Sequence, residues 1–348
     1  MTELHLRGER QSALTHLMQI GFAAILEASG VSDVRVSWSG ALDARPLVWT
    51  DGVDFDQAAL LVRDHARRRA DASSWLAADI DLAGRRTGLF SPRIKPPEDR
   101  GGWQRLIDAR EAHLDGLTAA QARLDLQFIG ALGMPAYWRV DGTGRATPDD
   151  GASRWEMKAR NAGEEFVRHR LFPIARHVAG REARSIRQGL EGAIICDLTD
   201  PPRADSRTAT GLAAPGPTDT AVAWCALWAI SQFPIMHLVA ERSRTAGHVA
   251  PPRGRGRFGG WFYLPMAEQP MGLPRLRSVL VSRPLERVAR AAVGSDTRRV
   301  DPLEVDAARA WLRNRGVSAI VVFPISVSAN KNAPEYQARD GTVVPLDV

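Results

Sequence analysis

Cysteine is almost missing from the 348-residue chain: Cys196 and Cys225 are its only two thiols. They cannot frame a disulfide scaffold, so a reducing, cytoplasmic setting is expected. Lysine is scarcer than its charge class suggests, because only Lys95, Lys158 and Lys331 interrupt a basic set of 46 residues that is otherwise arginine. No Gly-Lys pair exists, which excludes the phosphate-binding loop of nucleotide-driven motors. A Gly-x-Ser-x-Gly elbow is also absent. The eight histidines are scattered, and His169 and His177 stand two helical turns apart instead of the single turn of a helical zinc pair. No cofactor or metal is expected. The amino terminus already carries Glu3, Arg7, Glu9 and Arg10, which the apolar core of a secretory leader would not tolerate. One charge-free run, 220–240, is long enough to span a bilayer. Ser231, Gln232, Pro234 and His237 interrupt it, so a buried core element is expected there and no membrane partner.

Apolar residues make up 44% of the chain, enough to bury a full core in one large domain or two intimately packed halves. Leu14, Leu17, Met18, Phe22, Ile25 and Leu26 follow helical spacing and predict an amphipathic helix that stops at Gly30. A strand is expected at 34–38, a helix capped by Asp54, and a third helix through Trp103, Leu106, Ile107, Leu114 and Leu117. Residues 141–153 are turn chemistry throughout, and they suggest a division into an α+β half at 1–145 and another at 146–348. Strands are expected at 153–158, 194–198, 235–240, 261–264 and 319–323. Helices are expected over 164–178 with a break at Pro173, over 221–232 capped by Asp219, and over 301–313. This order predicts an α+β fold with a mixed or antiparallel sheet packed with helices, not a doubly wound sheet. Both cysteines are expected as small core residues.

Charge is unevenly distributed. Residues 1–150 hold 18 basic and 21 acidic residues, whereas 151–348 hold 28 and 19, a net of −3 against +9. Arginine-rich codon usage explains the Arg to Lys ratio, but not this asymmetry. One basic cluster comprises Arg154, Lys158, Arg160, Arg168, Arg170, Arg176, Arg181, Arg184 and Arg187, offset by Glu156, Glu164, Glu165 and Glu182. A second runs through Arg242, Arg244, Arg253, Arg255 and Arg257, with Gly254, Gly256, Gly259 and Gly260 to mould it to a backbone. Phe258 and Trp261 would offer stacking surfaces there. Such residues neutralise phosphates without reading sequence, and a solvated surface is the competing explanation.

Asp149 with Glu156 and Lys158 forms the one enzyme-like pattern. Two carboxylates and a lysine are the elements of metal-dependent nucleases, and on a strand Glu156 and Lys158 would share one face. The separation of Asp149 from Glu156 is short, and Asp149-Asp150-Gly151 is also an ordinary turn.

Several strings carry a resemblance. Asp150-Gly-Ala-Ser-Arg-Trp-Glu-Met-Lys158, Asn161-Ala-Gly-Glu-Glu-Phe166, Ser206-Arg-Thr-Ala-Thr-Gly211, Trp224-Cys-Ala-Leu-Trp228 and Ser243-Arg-Thr-Ala-Gly247 resemble proteins encoded in type I-U/I-G CRISPR operons. Gly21-Phe-Ala-Ala-Ile-Leu-Glu27 resembles the first helix of large or accessory subunits of such systems. The resemblance does not separate a large-subunit-like protein from an accessory subunit or a helicase-nuclease extension. It implies a non-enzymatic subunit of an antiviral effector complex, with guide RNA, target DNA and neighbouring subunits as partners. A purely protein-binding scaffold anchored by tryptophans is the third reading.

Overall fold

A computed structural model describes residues 1–40, 44–82, 84–91, 97, 99–133, 139–140, 146–147, 153–156, 166–198, 210–213, 216–236, 244–251, 258–294, 301–329 and 336–347. At 85, 139, 140, 146, 147 and 258 it describes the backbone only. The architecture is α+β, with antiparallel sheets and helices around one continuous core.

Strand β1 (Thr2–His5) leads into helix α1 (Ala13–Ala28), whose first turn is capped by the Ser12 hydroxyl accepting from the Thr15 N–H. Strands β2 (Arg35–Trp38) and β3 (Pro46–Thr50) follow, then α2 (Phe55–Arg69). Asp54 and Gln57 cap α2 reciprocally, at 2.9 Å and 3.1 Å, as a capping box. The hairpin β4 (Asp79–Leu82) and β5 (Arg85–Gly88) precedes α3 (Arg100–Ala119) and α4 (Arg123–Leu132). Short strands β6 (Arg139–Val140) and β7 (Ala146–Thr147) pair with each other.

A π-helical turn, Val167–Leu171, runs into α5 (Phe172–Ala179). Pro173 has no N–H to give a residue four back, and the wider turn lies just before it. Helix α6 (Ala183–Glu191) had no prior expectation, while α7 (Thr220–Trp228) begins at its expected cap, Asp219, and continues as a 3-10 turn, Ala229–Gln232.

The strands β8 (Ile235–Met236), β9 (Arg244–Thr245), β10 (His248–Val249), β11 (Phe258–Met266) and β12 (Met271–Gly272) come next. Helices α8 (Leu273–Leu280), α9 (Arg283–Val293) and α10 (Pro302–Arg313) precede β13 (Ala319–Val327), β14 (Tyr336–Ala338) and β15 (Thr342–Pro345). Asp301 caps α10, as its position suggests.

Two sheets organise the molecule. One has the order β1-β3-β2-β12, so residues 271–272 complete a sheet begun by the first fifty residues. The other has the order β10-β11-β13-β14, with β15 also paired to β13. Helices α1 and α7 pack closely against each other. A Cβ on Gly21 would overlap the carbonyl oxygen of Cys225, so the absence of a side chain sets that approach.

Three expectations change. Helix α1 is buried almost all round instead of on one stripe. Its buried Gln19 is satisfied by backbone, donating to Ser37 O at 2.6 Å and Leu47 O at 2.9 Å. Residues 194–198 form no strand, and Ile195 and Leu198 are 50% and 44% exposed, so the apolar run there is a surface connection. Cys196 is therefore half-buried instead of part of the core, while Cys225 is buried and its thiol is pushed up by burial. No helix of the described residues is long and apolar enough to cross a membrane.

Candidate nucleic-acid interface

Residues 153–156 of the first basic segment meet residues 245–247 of the second. The Arg154 N–H donates to Thr245 Oγ1 at 3.2 Å, and the Trp155 indole N–H donates to Ala246 O at 2.8 Å. Trp155 stacks on Phe262 of β11, with ring centroids 3.7 Å apart and planes 8° from parallel. Gly247, at φ +74°, leaves room for it, since a Cβ there would stand 2.8 Å from Trp155 Cζ2. These contacts bind residues 153–156 to the β9–β10 turn.

Around this junction, α9 supplies charge that sequence reasoning passed over. Glu286 and Arg290 face each other one helical turn apart, with Arg290 Nε 2.8 Å from Glu286 Oε1. The same oxygen lies 3.5 Å from Arg244 Nη1. His248 accommodates both neighbours: burial and the nearby charges of Arg154 and Arg290 hold its pKa down at about 3, so its ring is neutral. Its Nε2 meets Gly259 O at 3.1 Å. The Tyr263 hydroxyl is held protonated, by burial first and then by the charge of Glu286. A neutral His and Tyr therefore sit beneath Arg154, Arg244 and Arg290. The i,i+4 spacing of Glu286 and Arg290 was the only sequence signal for the last of these.

Other predicted cations have internal partners. Arg168 pairs with Asp79 of the β4–β5 hairpin at 3.0 Å. Arg187 pairs with Asp56 at 2.8 Å and with Glu191 at 3.0 Å. Arg181 is buried against Asp219, 2.8 Å away. Arg170 also engages a neighbour, whereas Arg176 and Arg184 are exposed without an ion pair among the described residues. Lys158, Arg160, Arg242, Arg253, Arg255 and Arg257 lie outside the described residues, as does Asp149.

The glycines at the end of the second segment have a structural duty. Gly259 and Gly260 belong to β11, where the register shifts between Phe258 and Trp261. A Cβ on Gly259 would come within 2.7 Å of Ile325 Cγ2, and Gly260 has φ +95°. They are fitted to a bulge instead of being free to mould.

Glu156 also departs from its expected setting. Trp155 and Glu156 lie in a turn, with exposures of 0% and 2%, so the strand alternation that would place Glu156 and Lys158 on one face is not seen at 153–156. No group of three or more His, Cys, Asp or Glu able to hold a metal exists among the described residues. The tryptophans proposed as interface anchors include Trp38, Trp75, Trp155, Trp224 and Trp228, all core residues. No protein-family profile matches the chain, and no curated protein matches it.

Proposed function

We propose that this chain is a non-enzymatic nucleic-acid-binding subunit, contacting the backbone of guide RNA or target DNA in a type I CRISPR effector complex. The observation that supports this reading is the junction: Trp155 locks the turn that carries Arg154 to the β9–β10 turn next to Arg244, and α9 adds Arg290, which shares Glu286 with Arg244. A guanidinium offers two parallel donors to a phosphate, and contacts of this kind are independent of base sequence. The neutral His248 and Tyr263 add no negative charge under the site.

Binding of labelled single-stranded RNA and DNA, followed by fluorescence anisotropy across a salt series, tests the proposal. The combined R154A/R244A/R290A replacement should lower affinity for unrelated sequences by roughly 10- to 100-fold and flatten the salt slope by about two. Native-like circular dichroism and melting would show that the variant folds. An unchanged salt slope in that folded variant would remove the junction from the nucleic-acid path. Co-purification with neighbouring operon products, with and without nuclease treatment, tests the assignment to a complex.

A further inference from the structure

A second group of cations shares no residue with the junction and lies in the half of the chain whose net charge is negative. Arg7, Arg10 and Arg45 line an open cleft of about 710 Å³, closed on one side by Glu191 and Gly192. The backbone holds each cation in place. Leu6 N–H donates to Pro46 O at 3.0 Å, which sets Arg7 beside Arg45 across the β1–β3 pair. Arg7 N–H donates to Leu190 O at 2.9 Å, at the end of α6, and Arg10 O bonds His16 Nε2 at 2.8 Å. Gln11 O accepts from Gly341 at 2.8 Å, which fastens the same turn to the carboxyl-terminal strands.

Two glycines make the geometry possible. Gly8, at φ +103°, abuts Thr15 of α1, where a Cβ would overlap the threonine hydroxyl. A Cβ on Gly192, at φ +89°, would stand 2.9 Å from Arg7 Cβ and push that side chain out of its position.

None of the three guanidinium groups has a carboxylate partner among the described residues. Of the two carboxylates in the lining, Glu191 is already held by Arg187 at 3.0 Å, and Glu9 is the other. Three positive charges line one cleft, and an anion entering it would be attracted by all of them. The predominantly polar, charged lining gives little surface to an apolar ligand, and the volume falls in the range of small-molecule sites. Three planar forks match phosphate oxygens, which accept bidentate bonds from them.

We infer that this cleft binds a phosphate-bearing ligand of nucleotide size, either a free nucleotide or the phosphorylated end of a nucleic-acid strand. It is separate from the junction, so each can fail without the other. Isothermal titration of the full chain with AMP and with adenosine, and anisotropy of a short single strand with and without a 5′-phosphate, provide the arms. Phosphorylated probes should bind and their unphosphorylated counterparts should bind at least tenfold more weakly. AMP binding identifies a free nucleotide, whereas discrimination only between the two strands identifies a strand end. Replacing Arg7, Arg10 and Arg45 together by Ala should weaken binding roughly 10- to 100-fold, and R45E alone, at the exposed rim, should act in the same direction. R154A/R244A/R290A should leave AMP binding intact. Equal binding of phosphorylated and unphosphorylated probes in both arms, or native affinity in the folded cleft variant, would overturn the inference.

Discussion

Arginine behaves in two different ways in this molecule. In the helical core, Arg69 of α2 has a side chain only 10% exposed, forked onto Asp125, donating to His65 O at 2.9 Å and lying 4.6 Å from the Trp228 ring. Arg181 is likewise buried against Asp219, which also accepts from the N–H groups of Cys196 and Ala221. At the junction and in the cleft, by contrast, Arg244 is 43% exposed and shares one carboxylate with Arg290, while Arg7, Arg10 and Arg45 have none among the described residues. A buried guanidinium is tolerable only when its charge is matched by fixed acceptors, and a surface one is matched by water or by a ligand. The same residue type is thus a buried fastener in one place and a solvent-facing charge in the other.

The comparison breaks most sharply at the carboxylates. Asp219→Ala should cost about 3–5 kcal/mol of unfolding free energy, because it strands Arg181 and uncaps α7 together, and Asp125→Ala should cost a similar amount. Urea denaturation measures this, and a loss below about 1 kcal/mol in both would mean that the buried pairs are not fasteners.

Acid is the next lever, and it acts on both regions. His65 packs against Trp224 and Trp228 with neither ring nitrogen hydrogen-bonded among the described residues, and burial together with Arg69 and Arg68 holds its pKa well below 6.5. His16 is held at about 4 by burial and His248 at about 3. These rings are neutral when folded, whereas the unfolded chain takes up protons near pH 6.5. Stability from this source is therefore complete above that pH and falls as pH drops toward 4, by about 1.4 kcal/mol per pH unit for each ring at the acid end. His65→Phe should remove about a third of that slope, and an unaltered pH dependence would show that burial of this ring is not its cause.

The smallest effect belongs to the surface pairs. Arg244→Ala or Arg187→Ala should change unfolding free energy by only about 0–1 kcal/mol, and raising the salt concentration should erase that difference while leaving the Asp219→Ala loss in place. A loss as large as that of Asp219→Ala would merge the two classes of arginine.

Much of the secondary structure is legible in the linear chain, because its signals are local. Asp54, Asp219 and Asp301 cap helices by side chains that reach backbone groups two or three residues on, and β11 and β13 contain the apolar runs expected of them. The failures are also physical. Ile194 and Ile195 look like core, yet no strand pairs with them, and Glu156 follows Trp155 into a buried turn that alternation would forbid. The approach of residue 154 to residue 245 depends on the stacking of Trp155 against Phe262, a contact with no trace in spacing.

What the residues alone determine, then, is the α+β class, the capped helices and the surplus of arginine after residue 150, because caps, periodicity and charge act over a few neighbours. Which arginines are buried fasteners and which stay at the surface was decided by the tertiary structure. That choice depends on whether a carboxylate from a distant element arrives within reach, as Asp125 does for Arg69 and none among the described residues does for Arg7, and only the packed chain brings such elements together.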